Sequence, residues 1–440
     1  MKNTPEKDPG GGHGHSGPDH APAPTIRPVA KCILIAIGSA GDVHPMIGIG
    51  RTMAARGHDV VLIASGHFAD AAAGAGLRLV PLGTDAEYRA MAGDARLWHP
   101  TRGFGYIAQR VTASLRPLYD LIAAEHVPGR TVGAATTLAL AARIAQDKLG
   151  FPLATIHLQP SIFRSVTDPA DYGVPMPRSR FGRRAFYWIV DRLIMDRHYR
   201  GPVNRLRREL GLPPIGRIND FWHAPALSVG MFPSWYAAPA DDWPAQARVT
   251  GFPLYDESEQ HTLPPQLETF LASGHPPVAF TWGSAMMHAN EQFAMAVEAC
   301  GQLQQRALLL TKFAQQLPRD LPPTVMHVPY APFSAVLPRC AAVVHHGGIG
   351  TTAQALAAGT PQLITPFSHD QPDNAHRVRR LGAGASLSPR KLTAQTLAHA
   401  LDKVLGEPQI HAHVERCKAR LTDRDSGLRQ TCDLLEGLAR

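Results

Sequence analysis

An alternation of short apolar segments with helix-length stretches, run twice along the chain, limits its fold more than any other feature. Cys32–Ile37 is continuous, apolar and followed by a Gly-containing turn, the pattern of a strand covered on both faces. A helix is expected from Pro45 to Arg56, with Pro at the first turn, where its missing N–H does no harm, and Gly57 as its stop. Asp59–Ala64 then supplies a second strand, His67–Gly74 a second helix and Leu77–Val80 a third strand. Strand alternating with helix argues for a parallel, doubly wound sheet.

The alternation resumes in the second half. Pro277–Thr281, Arg306–Leu310, Val325–Val328, Ala341–His345 and Gln362–Thr365 read as short buried strands, separated by helix-length stretches such as Glu291–Gln304. With 440 residues, two α/β domains of about 200 residues fit the length. The division expected is a disordered Gly-, Pro- and His-rich tail at 1–28, a Rossmann-like domain at 29–250, a linker at 251–265 and a second Rossmann-like domain at 266–425. A C-terminal helix at 426–440 is free to return to the first domain. Substrates are expected in the cleft between the halves, at the carboxyl ends of the strands. Residues 160–225 are less regular. Their most apolar piece, Ala185–Val190, suits either the lining of an acceptor pocket or, slightly better, a helix packed on the first sheet.

Composition excludes several classes of function. Apolar residues at 44% and charged residues at 18% describe a folding chain. The net charge of +8 comes without blocks of like charge or aromatic-interleaved basic stripes, so no nucleic-acid partner is expected. Cys32, Cys300, Cys340, Cys417 and Cys432 form no CxxC pair, which disfavours disulfides and thiolate metal sites and fits a reducing cytoplasm. Neither a signal peptide nor a membrane span of about 20 apolar residues is evident.

The strongest chemical signal is the segment Ala341–Leu356, in which a strand ends in His345-His346, passes through Gly347, Gly348 and Gly350, and opens a helix at Thr351-Thr352. Glycines let the backbone approach a phosphate, and the helix N-terminus points free N–H groups and partial positive charge at it. Beyond the next strand, Asp370 and Gln371 combine a carboxylate with an amide, a set suited to the vicinal hydroxyls of a sugar. The structural alternative for Asp370 is helix capping ahead of Pro372.

These two segments, in this order and spacing, resemble the nucleotide-sugar signature of the family 1 glycosyltransferases, the group of the UDP-glucuronosyltransferases and of plant, sterol and antibiotic glycosyltransferases. The likeness covers about 277–387 and the first strand, loop and helix. It implies a GT-B fold, two Rossmann-like doubly wound parallel-sheet domains facing across a cleft. It further implies that His346 and Thr351 contact the donor diphosphate, with His345 as packing neighbour, that Asp370 and Gln371 contact the sugar, and that Ser284 lies on the phosphate side. Tyr330, in the run Tyr330–Phe333, stands where the family usually stacks a Trp on the base. Gln354 stands where many UDP-sugar enzymes carry Glu for the ribose hydroxyls, a departure that leans towards a dTDP-sugar.

In the first half, Ile37–Pro45 matches the family's first loop, with Gly38 and Gly41 beside the acceptor and Asp42 where bacterial and sterol members place an acidic base. An inverting transfer needs a group to take the acceptor proton. Asp42 is the preferred base, His44 the rival, and capping of a helix at Pro45 the structural alternative for both. No Asp-x-Asp motif lies near these residues, so neither metal nor cofactor is expected beyond the dTDP- or UDP-sugar co-substrate. Within the family the motifs look most like bacterial enzymes that glycosylate lipids, including the rhamnosyltransferase of rhamnolipid synthesis. The resemblance thus implies an inverting hexosyltransferase, with rhamnose from dTDP-rhamnose and a lipid-like or other apolar acceptor as its specific version. The protein would work in the cytoplasm, with room for peripheral association at the inner membrane face. A sugar-nucleotide epimerase of the same architecture and a non-catalytic sugar-nucleotide-binding protein remain as alternatives.

Overall fold

A computed structural model describes residues 30–99, 102–258, 261–284 and 286–439. The tail expected at 1–28 lies outside them. The first sheet has seven strands, β1 (Lys31–Ile35), β2 (Asp59–Ala64), β3 (Arg78–Pro81), β4 (Thr131–Thr136), β5 (Leu153–His157), β6 (Leu227–Gly230) and β7 (Ala247–Val249), in the order β3-β2-β1-β4-β5-β6-β7. The second has six, β8 (Val278–Thr281), β9 (Ala307–Leu310), β10 (Val325–Val328), β11 (Ala342–His345), β12 (Gln362–Ile364) and β13 (Gly384–Ser386), in the order β10-β9-β8-β11-β12-β13. Every pairing in both sheets is parallel. Each order reverses direction beside its first strand, so the switch points fall at β1/β4 and β8/β11. A doubly wound sheet opens its crevice there.

β1 shows why these runs are strands. Cys32 and Leu34 point into one apolar cluster, and Ile33 and Ile35 into the cluster on the opposite face. With side chains alternating and both faces covered, a continuous apolar run is the only pattern that avoids burying polar groups. The helix Ser426–Leu438 closes the chain over the first domain by placing Leu428, Cys432 and Leu435 in its core. Full burial of each such leucine contributes about 1.5–3 kcal/mol. The helix approaches so closely that a Cβ at Gly427 would sit 2.5 Å from the Gly251 carbonyl oxygen.

Three local expectations change. The first helix runs Ala40–Ala55, not from Pro45, because Ser39 and Asp42 form a capping box that secures its first turn five residues earlier. Pro45 therefore lies inside the helix. The segment at 251–256 is no exposed tether, since Phe252, Leu254, Tyr255 and Asp256 are buried. The region 180–209 is one helical rod, Arg180–Val190, a π-helical stretch Asp191–Arg200 and Gly201–Glu209. The packing expected for Ala185–Val190 holds for Val190 and fails for Trp188 and Ile189, which are 53% and 47% exposed. Among the described residues, no helix is long and apolar enough to cross a membrane.

Candidate active site

Both switch points open into one cleft with a cavity volume of about 1790 Å³. On the first-domain side, β1 ends at a turn where the Ile37 amide donates to Thr136 Oγ1 at 3.0 Å and Gly38 takes φ 142°. No side chain fits at Gly38, because a Cβ would lie 2.0 Å from Asp42 Oδ2. The Ser39 amide donates to that oxygen at 2.9 Å. Asp42 thus caps its helix and faces the cleft at once. Burial raises its pKa to about 7, opposed by the Ser39 amide and reinforced by the carboxylate of Asp370. His44 lines the cleft as well, but beside an acid of its own. Its Nε2 lies 3.6 Å from Glu257 Oε1, and burial lowers its pKa against the pull of Glu257.

On the other side, β11 delivers His345 and His346 to different tasks. His345 is wholly buried, its Nε2 lies 2.9 Å from Gln362 Oε1, and its Nδ1 accepts the Gly347 amide at 3.1 Å. With burial pushing its pKa down to about 4, it is a neutral brace for the loop. His346 lines the cleft, its Nδ1 has no hydrogen-bond partner among the described residues, and burial together with the neighbouring imidazoles lowers its pKa to about 3. Its ring fits only because positions 283 and 348 are glycines: a Cβ there would meet it at 2.8 and 2.6 Å. A neutral imidazole can offer a leaving phosphate a hydrogen bond but no charge.

The helix Ile349–Ala358, capped by Gly348, turns its N-terminus to the cleft, with Gly348, Gly350 and the mostly buried Thr351 in the lining. Gly347 does not line the cleft, contrary to the donor contact expected of it. It turns the chain at φ 94°, packed against Ile364 and Gln371. Asp370 precedes the helix Gln371–Arg380 but makes no side-chain cap. Its Oδ2 accepts from Asn374 Nδ2 at 2.7 Å, and burial raises its pKa to about 6 against that bond and two from backbone amides. Gln371 lines the cleft, yet its Oε1 accepts the Phe367 and Ser368 amides at 2.7 and 3.0 Å. What it can still offer a sugar is its NH2 group.

Gln354 also lines the cleft, but its carboxamide is engaged by protein: Nε2 donates to the Leu254 carbonyl at 3.2 Å, and Oε1 accepts from Arg424 at 2.7 Å. A ribose contact would compete with both, so the lean towards a deoxyribose rests on residue type alone. Tyr330, Phe333 and the exposed Ser284 line the same space, and Gly41 the opposite wall. The Tyr330 hydroxyl donates to the Asp256 carbonyl at 2.9 Å, and Lys312 Nζ stands 5.4 Å over its ring.

Two parts of the site escaped sequence reasoning, one wholly and one for the most part. Asn374 ties Asp370 to the glycine loop, donating also to the Gly347 carbonyl at 2.9 Å; its spacing of four from Asp370 on one helix face was the available signal. The first-domain end of the cleft is an apolar chamber lined by residues such as Phe104, Ile107, Val111, Phe186, Val190 and Trp222. Phe186 and Val190 fall in Ala185–Val190, for which an acceptor lining was one of the two expectations; the others, scattered over two further helices, are indistinguishable in sequence from core.

The matches to known proteins agree with this geometry. Residues 32–167 match the glycosyltransferase family 28 N-terminal domain, and 296–425 match the erythromycin biosynthesis protein CIII-like C-terminal domain. The O-mycaminosyltylonolide 6-deoxyallosyltransferase of Streptomyces fradiae is 30% identical over 427 residues, 92% of this chain and 97% of that one. Glycosyltransferase GtfE of Amycolatopsis orientalis is 30% identical over 410 residues, with 92% and 97% covered. The crystal structure of the glycosyltransferase of kitacinnamycin superposes with TM-score 0.69 at 24% identity, covering 93% of this chain and 99% of that one. The glycosyltransferase VinC in complex with dTDP superposes with TM-score 0.64 at 21% identity, covering 93% and 99%.

Two parallel, doubly wound sheets facing across a cleft, with these matches, define a GT-B glycosyltransferase, which transfers sugar from a nucleotide-sugar donor. Matched over nearly its full length, the chain belongs to family 1, the antibiotic-type branch of these enzymes.

Proposed function

We propose that the protein is an inverting hexosyltransferase that uses a dTDP-sugar and glycosylates a hydroxyl on a lipid-like or otherwise bulky, apolar acceptor, with dTDP-rhamnose as the specific donor to try first. The observation that carries the reading is one continuous cleft whose lining brings together Asp42, an apolar chamber and the His346–Asp370 side. A base with a pKa of about 7 is matched to neutral pH.

In the proposed reaction the acceptor oxygen attacks the anomeric carbon as its proton passes to Asp42. The bond from that carbon to the diphosphate oxygen breaks on the opposite face, and the electron pair leaves with the nucleotide. The charge developing there is met by the N-terminus of the helix Ile349–Ala358 and by a hydrogen bond from His346, a preorganised arrangement that needs no metal. Asp370 and the Gln371 NH2 group would hold the sugar hydroxyls. His44, facing Glu257, is the weaker candidate for base.

Relatives support the donor class. One matched structure was solved with dTDP and another, SsfS6, with thymidine diphosphate. A further one is titled a spinosyn rhamnosyltransferase. The test is mass spectrometry of incubations pairing dTDP-rhamnose, other dTDP-hexoses or UDP-glucose with hydroxy fatty acid esters and polycyclic alcohols. Transfer from the UDP-sugar alone would overturn the donor assignment. Glycosylation confined to small polar acceptors would overturn the acceptor assignment.

A further inference from the structure

The large hydrophobic side chains most exposed among the described residues are Val174, Phe181, Trp188, Ile189, Leu193 and Ile194. All lie within 21 residues of one another, on or just before the rod that forms one wall of the apolar chamber. Phe181 is 82% and Leu193 65% exposed. Along the helix, Phe181, Trp188 and Ile189 share one face, and the π-helical stretch carries that face on to Leu193. Soluble proteins seldom leave such a stripe uncovered without a partner.

Its charge indicates the partner. Arg178, Arg180, Arg184, Arg192 and Arg197 are exposed around the stripe. The two acids of Val174–Arg197, Asp191 and Asp196, are both buried, the first against Arg164 and the second accepting the Ile218 amide at 3.0 Å. The exposed charges of Val174–Arg197 itself are therefore all positive. A second copy docked two-fold on the same patch would bring arginine rim against arginine rim. An anionic bilayer complements both features, taking Phe, Trp and Leu side chains at the acyl boundary and arginines among its headgroups.

The stripe also runs into the cleft. Val174 and Ile194 belong to the exposed patch and to the cleft lining together, and Phe186, Tyr187 and Val190 on the rod's other sides line the cleft. We infer that the rod Arg180–Arg200 docks the enzyme on an anionic lipid surface, with Val174 and Ile194 at a portal through which an apolar acceptor passes from the bilayer into the chamber. The portal's purpose rests on the apolar-acceptor reading above; the docking does not.

The full-length protein should float with vesicles of phosphatidylcholine and phosphatidylglycerol and much less with phosphatidylcholine alone. The double variant Trp188→Ser/Leu193→Ser should lower the partition coefficient at least about tenfold. Arg184→Glu/Arg192→Glu should abolish the preference for the anionic vesicle. None of these four side chains lines the cleft, so melting temperature and dTDP binding should be unchanged, which separates lost docking from lost folding. No binding to either vesicle would overturn the docking, as would unchanged binding by the apolar variant, or a dimer in light scattering that this variant dissociates. Because flotation uses neither donor nor acceptor, its failure leaves the transfer reaction standing, and failed transfer leaves the docking standing.

Discussion

Asn374 and Asp370, four residues apart, meet through one 2.7 Å hydrogen bond whose donor nitrogen also holds the Gly347 carbonyl at 2.9 Å. A single amide thereby couples the two loops proposed to hold the sugar and the diphosphate. Tyr236 fixes that amide from behind, its hydroxyl donating to Asn374 Oδ1 at 3.0 Å. Asn374→Ala should raise donor KM by about 10–100-fold, the equivalent of about 1.5–3 kcal/mol for a lost bond to a charged group. Acceptor KM, measured at saturating donor, should move little.

Asp42 should write its titration into the rate. With its pKa at about 7, the base form is populated as pH rises, so kcat/KM should climb through pH 7 and level above it. The Asp370 carboxylate contributes to the upward shift. Removing that charge in Asp370→Asn should move the acid limb of the residual activity to lower pH. A limb that stays in place would show that Asp370 does not act on the base.

His346 should be sensitive to the glycines around it. Gly348→Ala puts a methyl 2.6 Å from Nε2 of the ring, and the displaced imidazole should raise donor KM about tenfold while leaving the fold intact. Gly301→Ala, where nothing lies within 4 Å, is the matched control and should leave KM unchanged.

Gly38→Ala should cost stability as well as rate. It combines φ 142° with a Cβ 2.0 Å from Asp42 Oδ2, a strain of about 1–3 kcal/mol. In a domain of this size each kcal/mol lowers Tm by about 2–4 °C. Calorimetry and the transfer assay should therefore fall together.

The reach of the sequence followed burial. Strands covered on both faces, such as β1 and β11, stand out as apolar runs because neither face tolerates a polar residue. The histidine–glycine loop stands out because polar residues at a buried strand end need a reason. The start of the first helix was obscured because Pro45 resembles an opening residue, whereas the capping box at Ser39 and Asp42 decides the matter. The bonds that Gln354 makes were out of reach because its partners, Leu254 and Arg424, are 100 and 70 residues away. Apart from Ala185–Val190, the apolar chamber was invisible, as was the outer face of the rod, for a related reason: an apolar side chain reads alike whether it meets core, ligand or solvent.

The central claim is that Asp42 takes the acceptor proton while the second domain holds the donor. It is tested most directly by the Asp42→Asn variant, measured in parallel for transfer and for dTDP binding by calorimetry. Loss of kcat by about 10²–10⁴-fold with dTDP affinity unchanged is the expected result, alongside a His44→Gln variant that keeps most of its rate. An Asp42→Asn variant that transfers sugar at the parent rate, or a His44→Gln variant that alone loses it, would contradict the account.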